Sequence, residues 1–459
     1  MVAIEFWGGL GVIGGSKIMI EDGGHRVLLD IGLDIPSGRD PFRRPVHIRP
    51  GRELADRLRM NVAPHIPGLF DPAAIDPPVP GPGAGGWGAG GSGSGGSGSG
   101  GSGSRDSGRP GARLAQALGD PVGETAVFVS HPHIDHVGLA GFLREDVAVH
   151  AHTDAVDLLQ ALSATGQGLT HGDPAWRRLT DGQRTQVGPM EVECVAVDHD
   201  VPGASGYLVR TSAGCLAFTG DIRFHGHHPE RAWDFVERAA GCEVLATEGT
   251  TLGWDMRGPL RDENDVQRDF TAIVETTPGL VLLSVYSRDL ERVRAFNGIA
   301  EAAGRRIVWP APTAAFLRLL GVKDALAHAD VPWSDLHAAP AAYVVVPDPD
   351  DLPSLLDLPV GEGYPASVMV HANGEPLGPF EPRWEPFTDW LSALDIPLRQ
   401  IGCSGHASQD HLHTMLERMR PRTVFPIHTT APARLHPPTG TGRVVAEYAT
   451  RYDFAGRAL

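Results

Sequence analysis

Four side chains that can bind metal lie within six residues of this sequence. An apolar run over residues 126–129 predicts a buried strand, and His131, His133, Asp135 and His136 follow it. His131 and His133 are two residues apart, so in an extended segment they point the same way and can share one cation. Asp135 and His136 lead into a predicted helix and face a second position. Imidazole and carboxylate suit Zn²⁺, with Mn²⁺ possible as the share of carboxylates rises.

Further acids and histidines stand where other predicted strands end. Because neighbouring strand ends meet at one rim of a sheet, we expect these side chains to lie together. One of them, Asp30, fits a carboxylate that orients a ligand histidine from behind. The strand-end residues are Asp30, His199, Asp221, Glu248, His406 and His428.

The predicted secondary structure that must position these residues changes along the chain. Strands dominate the first part, whereas strand–helix alternation over residues 256–394 predicts a parallel α/β sheet. Residues 36–80 are rich in Pro and Arg, and we expect them to be irregular. Residues 81–104 are almost entirely Gly and Ser, within an insertion at about 81–110. We predict a flexible surface expansion there, with a mobile flap beside the site as the alternative.

Composition limits the class of protein. The chain has 459 residues, 41% hydrophobic content and a net charge of −17, which argues against a general nucleic-acid coat but not against a local basic groove. We find no apolar span long enough for a membrane helix and no signal peptide, so we expect a cytoplasmic protein. None of the four cysteines lies at C-x-x-C spacing, and we expect buried small residues in a reducing compartment.

Three motifs together resemble one family. H-x-H-x-D-H at 131–136, S-G-H-A-S-Q at 404–409 and P-I-H at 426–428 resemble the β-CASP branch of the metallo-β-lactamase superfamily, and ribonuclease J most of all. The family's glycine-rich start and the residues after its last metal histidine differ here, with Val12, Ser16 and Thr429-Thr430 in those places. From where the chain stops, we also expect the C-terminal domain of bacterial ribonuclease J to be absent.

The resemblance implies an α/β fold of two parts. A metallo-β-lactamase αββα sandwich would comprise residues 1–255 and 395–459, with an α/β β-CASP domain inserted at 256–394. It also implies two zinc ions held by seven residues. These would be His131, His133 and His199 for one ion, Asp135, His136 and His428 for the other, and Asp221 between them.

The resemblance further implies Asp135, Glu248 and His406 as catalytic residues. Two cations roughly 3.5–4 Å apart would generate the attacking water, and His406 would contact the phosphate and protonate the leaving group. Glu248 could hold His406 in its protonated form. Ser408 suits a helix N-cap, and Ser404 and Ser408 could bind phosphate oxygens.

We therefore predict a zinc-dependent ribonuclease that acts on single-stranded RNA from the 5′ end or internally, and a homodimer is the expected assembly. The first alternative is a small-molecule metallohydrolase of an ester, lactone or phosphodiester, with the inserted domain as a lid. The second is a non-catalytic RNA-binding relative, against which the intact ligand set argues. Candidate basic contacts for RNA, most of which could equally be solvated helix faces, are Arg288, Arg292, Arg294, Arg305, Arg306, Arg420 and Arg422.

Overall fold

The structure is a computed structural model that describes residues 2–33, 46, 48–77, 123–255 and 259–459. The predicted Gly/Ser-rich insertion lies outside the described residues. The strands, numbered in chain order, are β1 Ala3–Gly8, β2 Lys17–Asp22, β3 His25–Leu29, β4 Thr125–Val129, β5 Ala148–His152, β6 Trp176–Leu179, β7 Arg184–Val187, β8 Met190–Ala196, β9 Ser205–Thr211, β10 Gly214–Phe218, β11 Val244–Glu248, β12 Val281–Val285, β13 Arg306–Trp309, β14 Leu326–Ala327, β15 Tyr343–Val345, β16 Val368–Ala372, β17 Leu398–Gln400, β18 Thr423–Ile427, β19 Gly442–Arg443 and β20 Arg451–Tyr452.

The helices are numbered in the same way. They are α1 Glu53–Arg59, α2 Pro72–Ile75, α3 Ile134–Val137, α4 Thr153–Ala164, α5 Pro229–Arg238, α6 Glu263–Thr276, α7 Leu290–Ala302, α8 Ala311–Leu319, α9 Trp333–Ala338, α10 Trp384–Ala393 and α11 Gln409–Met419.

Two seven-stranded sheets form a sandwich. The first has the order β20-β1-β2-β3-β4-β5-β6 and the second the order β19-β18-β11-β10-β9-β8-β7. Alternate residues of each strand face opposite sides, so Ile18 and Ile20 enter the core between the sheets while Met19 packs under the helices outside. Helices α1 to α4 cover the first sheet, and α5 and α11 cover the second. This is the αββα sandwich that the resemblance implies.

The third sheet confirms the predicted inserted α/β domain. Its order is β14-β13-β15-β12-β16-β17, and its strand pairs are parallel. Helices α6, α7 and α8 pack on one face, and α9 and α10 on the other. The exact boundaries at 255/256 and 394/395 stay a prediction. Strand β17 belongs to this sheet although it follows the second boundary.

Two expectations from the sequence are wrong. Residues 53–59 and 72–75 are helical rather than irregular, because Leu54 and Leu58 pack against the first sheet and Pro72 begins its helix after the Asp71 N-cap. Cys215 and Cys242 form a disulfide, whereas Cys194 and Cys403 are free and buried. The parallel pairing of β10 with β11 brings the first two together, which their spacing in the sequence does not reveal.

Among the described residues, no helix is long and apolar enough to cross a membrane.

A set of buried charges joins the inserted domain to the sandwich. We call it the junction cluster, and it consists of Asp198, Arg223, Glu263, Asp289 and Arg292. Glu263 Oε1 accepts hydrogen bonds from Arg223 Nη1 at 2.8 Å and from Arg292 Nη2 at 2.6 Å. Arg223 Nε donates to Asp198 Oδ1 at 3.2 Å, and Arg292 Nε lies 3.5 Å from Asp289 Oδ2. Because the cluster has more carboxyl groups than guanidinium groups, one carboxyl group has no full positive partner. Its ionisation in this buried place is therefore unfavourable.

Asp289→Asn is expected to stabilise the protein at alkaline pH. Burial raises the pKa of Asp289 to about 7; Arg292 opposes this, while Glu263 adds to it. Between about pH 4 and pH 7 the folded protein keeps a proton that the unfolded chain releases, so wild-type stability falls as pH rises through that window. Asparagine does not titrate and can still accept the N-cap hydrogen bond from the Arg292 backbone. We expect a gain of roughly 1–3 kcal/mol at pH 8 and little difference near pH 4, measured by urea unfolding.

Asp262→Asn is the matched control, because Asp262 caps helix α6 of the same domain and is only half-buried. A stability difference for Asp289→Asn that is the same at pH 4 and pH 8 would contradict this assignment.

Candidate metal centre

The site lies where strands of both sandwich sheets end. Asp30 directly follows β3, and residues 131–136 follow β4. His199 follows β8, Asp221 follows β10, Glu248 ends β11 and His428 follows β18. Asp30 and His428 adopt left-handed backbone conformations, with φ of 62° and 51°. Such strained backbone at a non-glycine residue is concentrated at functional sites, because the surrounding structure must hold it in place.

The structure brings the first predicted ligand group together. His131 Nε2 lies 3.0 Å from His133 Nδ1, and His199 Nε2 lies 3.4 Å from the same atom. His131 and His199 are buried, and His133 is half-buried. With Asp221, the ligand atoms of this group all lie within 4.8 Å of one another, which suits a single metal ion.

The second predicted group lies next to the first. His428 Nε2 is 3.1 Å from Asp135 Oδ2, and His136 Nε2 is 3.7 Å from the same oxygen. The ligand atoms of these three residues also lie within 4.8 Å of one another. Helix α3 starts in this segment and carries both Asp135 and His136.

Asp221 stands between the two groups. Its Oδ2 atom lies 3.7 Å from His131 Nε2 and 3.9 Å from His199 Nε2 in the first group. The same atom lies 3.3 Å from His136 Nε2 and 3.6 Å from His428 Nε2 in the second. Its Oδ1 atom is buried without a hydrogen-bond partner among the described residues. One carboxylate therefore faces both groups and has an oxygen left to coordinate.

The protonation states of His133, Asp135 and Asp221 suit metal ligands. Burial lowers the pKa of His133 to about 4, so this imidazole is neutral near pH 7 and has a lone pair to offer. Burial works against ionisation of Asp135, but His136 and His428 hold the pKa of its carboxyl below the usual range. Asp221 behaves likewise, since burial opposes its charge while His428 and His136 lower its pKa. A neutral His133 and ionised Asp135 and Asp221 are therefore the forms that bind divalent cations. His136 differs: burial opposes its charge, but the Asp221 and Asp30 carboxylates raise its pKa, so a bound cation would displace a proton from it.

Asp30 lies behind this ligand set. Its Oδ2 atom is 2.6 Å from His136 Nδ1 and accepts a hydrogen bond from Ser130 Oγ at 2.8 Å. Its Oδ1 atom accepts from the Ser130 backbone at 2.6 Å. Asp30 is fully buried and makes contacts of the kind that orient a ligand imidazole.

His406 and Glu248 lie beside the shared carboxylate. His406 Nδ1 is 3.7 Å from Asp221 Oδ2 and 3.6 Å from Glu248 Oε1. Glu248 is held by backbone hydrogen bonds from Thr250 and Ala407. Burial disfavours a charged His406, but the Glu248 and Asp221 carboxylates outweigh burial and raise the pKa of His406 to about 9. A protonated imidazole therefore stands at the edge of the ligand set.

The two predicted phosphate-binding serines support the His406 loop. Ser408 Oγ accepts a hydrogen bond from the His411 backbone and caps α11, as the sequence predicts. Ser404 Oγ accepts one from the His406 backbone at 3.0 Å. Each hydroxyl keeps its own proton for donation, and phosphate binding by either one stays a prediction.

Two family models match the chain over these segments. A Beta-lactamase superfamily domain matches residues 108–273, and a Zn-dependent metallo-hydrolase RNA specificity domain matches residues 396–435. The first match contains six of the seven predicted ligands, and the second contains His406 and His428. These matches support the resemblance of the chain to the metallo-β-lactamase superfamily and, within it, to the β-CASP, ribonuclease J-like branch. With the convergent histidines and carboxylates, they support the use of a divalent metal.

Curated relatives from this branch share modest identity with the chain. Ribonuclease J of Mycobacterium tuberculosis is 26% identical over 369 residues, which cover 72% of this chain and 65% of that relative. Ribonuclease J of Thermus thermophilus is 23% identical over 330 residues, which cover 65% of this chain and 57% of that relative. The chain thus spans less than two thirds of the length of these curated relatives.

One solved structure shares the fold over the full length of both chains. It is a crystal structure of a protein of unknown function from Enterococcus faecalis, with a TM-score of 0.75 and 24% sequence identity. Because the identity is so low, this likeness shows the fold alone.

Several residues at this metallo-β-lactamase site were missed in the sequence. Asp200 Oδ1 lies 3.1 Å from His199 Nε2, and the Tyr286 ring centroid lies 5.4 Å from that of His133. Thr250 Oγ1 is 2.8 Å from His428 Nδ1. Asp200 directly follows a predicted ligand, which was a usable signal. Tyr286 and Thr250 reach the site through contacts distant in sequence, for which no local pattern exists.

The candidate basic contacts are corrected at two positions. Arg292 and Arg305 are buried, with exposed fractions of 1% and 4%, so they do not face RNA. Arg292 belongs to the junction cluster, and Arg305 donates to backbone carbonyls of residues 274 and 279. The long apolar stem of arginine allows its guanidinium group to form hydrogen bonds inside the protein. The position of an arginine in the sequence does not reveal such a buried role.

Proposed function

We propose that this protein is a metal-dependent ribonuclease that hydrolyses phosphodiester bonds of single-stranded RNA. The observation that carries the proposal is the position of His406, 3.7 Å from the carboxylate that faces both ligand groups. A site with two adjacent cations and a proton donor beside them is suited to phosphoryl transfer, in which both the entering and the leaving oxygen need stabilisation.

Two Zn²⁺ ions are the proposed cofactors, with Mn²⁺ as a substitute. The chain supplies five imidazoles, two carboxylates and uncommitted buried ligand atoms, among them His136 Nε2 and Asp221 Oδ1, which fits two ions. When bound, such ions lower the pKa of a coordinated water and polarise the phosphoryl group. Asp135 and Asp221 hold the negative charge that keeps these ions in place.

His406 is the proposed general acid. Its ring lies between Asp221 and Glu248, and both carboxylates favour the imidazolium form. Glu248 is locked by two backbone hydrogen bonds, so it can hold the His406 ring in a fixed orientation. The imidazolium would give its proton to the leaving oxygen of the RNA, which otherwise departs as a poor, strongly basic group.

RNA is the proposed substrate because the names of the relatives and of the second family model point to it. The relatives are called ribonuclease J, and the model that covers His406 is an RNA specificity domain. Trp254 supports this choice: its ring centroid is 6.4 Å from that of His406, and it is 39% exposed. An exposed aromatic side chain beside a phosphate site can stack a base of a single strand. Homodimer formation and a cytoplasmic location stay predictions.

The test uses zinc-loaded protein and single-stranded RNA that carries a labelled 5′-monophosphate. We expect wild type to cleave this RNA and Asp135→Ala to be at least about 10²-fold slower, because a preorganised charge at the metal site is removed. Labelled mononucleotide would establish 5′ exonuclease action, and longer labelled fragments would establish internal cutting.

Intact RNA from protein that carries two metals per chain would overturn the ribonuclease proposal. In that case the same protein is to be assayed on ester, lactone and phosphodiester small molecules, the alternative that the sequence left open.

A further inference from the structure

Each ligand histidine has a second ring nitrogen, which points away from the metal position. In metal sites that nitrogen nearly always donates its proton to a carboxylate, a carbonyl or another acceptor, and the contact fixes the tautomer and the ring orientation. Four of the five imidazoles have such a neighbour within hydrogen-bond distance. The pairs are His131 Nδ1 with Ser130 Oγ at 3.0 Å, His136 Nδ1 with Asp30 Oδ2 at 2.6 Å, His199 Nδ1 with the Gly405 carbonyl oxygen at 2.6 Å, and His428 Nδ1 with Thr250 Oγ1 at 2.8 Å.

His133 is the exception. Its ring is turned so that Nδ1 faces the other ligand nitrogens, at 3.0 Å from His131 Nε2 and 3.4 Å from His199 Nε2. Its remaining nitrogen, Nε2, is buried and has no hydrogen-bond partner within the part of the chain that the structure describes. The nearest acidic group is Asp200, whose Oδ1 atom lies 3.5 Å away and is likewise buried without a hydrogen-bond partner there.

We propose that Asp200 is a positioning residue, whose Oδ1 accepts the Nε2–H of His133 and so presents the Nδ1 lone pair to the metal. The inference rests on the proposed ligand set. A closure of a few tenths of an ångström turns the 3.5 Å separation into an ordinary hydrogen bond to a charged acceptor. With Asp200 included, all five ligand imidazoles have an acceptor behind them.

The local packing holds Asp200 in this place. It directly follows His199, which is anchored through Nδ1 to the Gly405 carbonyl oxygen. A Cβ atom at Gly405 would lie only 2.6 Å from Asp200 Oδ2, so the chain passes this close only because residue 405 is glycine. Asp200 therefore links the His133 ring to the loop that carries His406.

Direct coordination is the competing role, since Asp200 Oδ1 also lies 3.1 Å from His199 Nε2. The structure favours positioning, because direct coordination would leave His133 Nε2 as the one outward ligand nitrogen without an acceptor. The two roles differ in what an asparagine can do. The amide oxygen of asparagine can still accept an N–H, but it is a much weaker metal ligand than a carboxylate.

The experiment measures Zn²⁺ affinity by competition with a chromophoric chelator, for wild type, Asp200→Ala and Asp200→Asn. We expect Asp200→Ala to weaken one of two sites by about 10–100-fold and Asp200→Asn to lose clearly less. Asp234→Ala is the control, since Asp234 is a half-exposed surface residue paired with Arg238. Thermal unfolding of the metal-free proteins verifies that each variant is folded.

Three results would overturn the inference or its basis. An unchanged affinity in Asp200→Ala would show that His133 needs no such acceptor. Equal, large losses in both Asp200 variants would show that the carboxylate is itself a ligand. A wild-type protein that binds no zinc would instead overturn the proposed ligand set, which keeps the two failures distinguishable.

Discussion

Asp221→Ala is expected to leave the protein with fewer than two tightly bound metals and to slow RNA cleavage by about 10³-fold or more. Removal of one preorganised electrostatic contact from an active site typically costs about 10²–10³-fold in kcat, and this carboxylate faces both proposed ligand groups at once. Its Oδ2 atom lies within 3.9 Å of a nitrogen from each of four ligand histidines, so no neighbouring oxygen replaces it without moving those rings.

The measurement pairs metal content by mass spectrometry with the rate of RNA cleavage, on the same preparations. Asp234→Ala again provides the matched aspartate control away from the site. If Asp221→Ala kept two metals with unchanged affinity and lost less than about tenfold in rate, the carboxylate would not bridge the ions.

His406→Ala is expected to lower kcat on RNA by about 10²–10⁴-fold with metal content unchanged, since general acid catalysis contributes on that scale. On bis(p-nitrophenyl) phosphate, whose leaving group departs without protonation, the same variant should lose far less. His413→Ala on helix α11, with a half-exposed side chain, is the control. A loss of equal size on both substrates would contradict proton donation and point to phosphate binding alone.

The pH profile offers a second view of the same residue. With a pKa raised to about 9, His406 is protonated at neutral pH, and activity should fall as pH rises through that value. Glu248→Gln removes one of the carboxylates that raise this pKa, so the alkaline limb should move to lower pH. If the alkaline limb of the pH profile does not move in Glu248→Gln, Glu248 does not raise the pKa of the general acid.

The sequence made the centre of the site predictable because it is encoded locally. His131, His133, Asp135 and His136 lie within six residues just after one strand, and their types predict metal binding. The strand–helix alternation likewise predicted the parallel third sheet, and Ser408 predicted the start of α11. These features depend on spacing within a few residues, which a single sequence displays.

What could not be predicted depends on contacts between distant segments. Glu263 is 40 residues from Arg223 and 29 from Arg292, yet it binds both in the junction cluster. Cys215 and Cys242 meet only because two strands run side by side. An arginine on a helix is usually exposed, yet Arg292 is only 1% exposed. Tertiary packing determines the ion-pair partners of Glu263, the disulfide partner of Cys215 and the burial of Arg292. The neighbouring sequence does not reveal any of these contacts.

The junction cluster would also limit how RNA, the proposed substrate, reaches the candidate metal centre. A rotation of the inserted domain against the sandwich would separate Arg223 from Glu263. If water did not enter, both charges would stay buried without a partner, at a cost of about 3–5 kcal/mol. At that cost, rotated conformers make up less than about 1% of molecules. We therefore expect the inserted domain to keep a fixed position relative to the sandwich while a substrate binds, so that closure of a lid does not select what is cut.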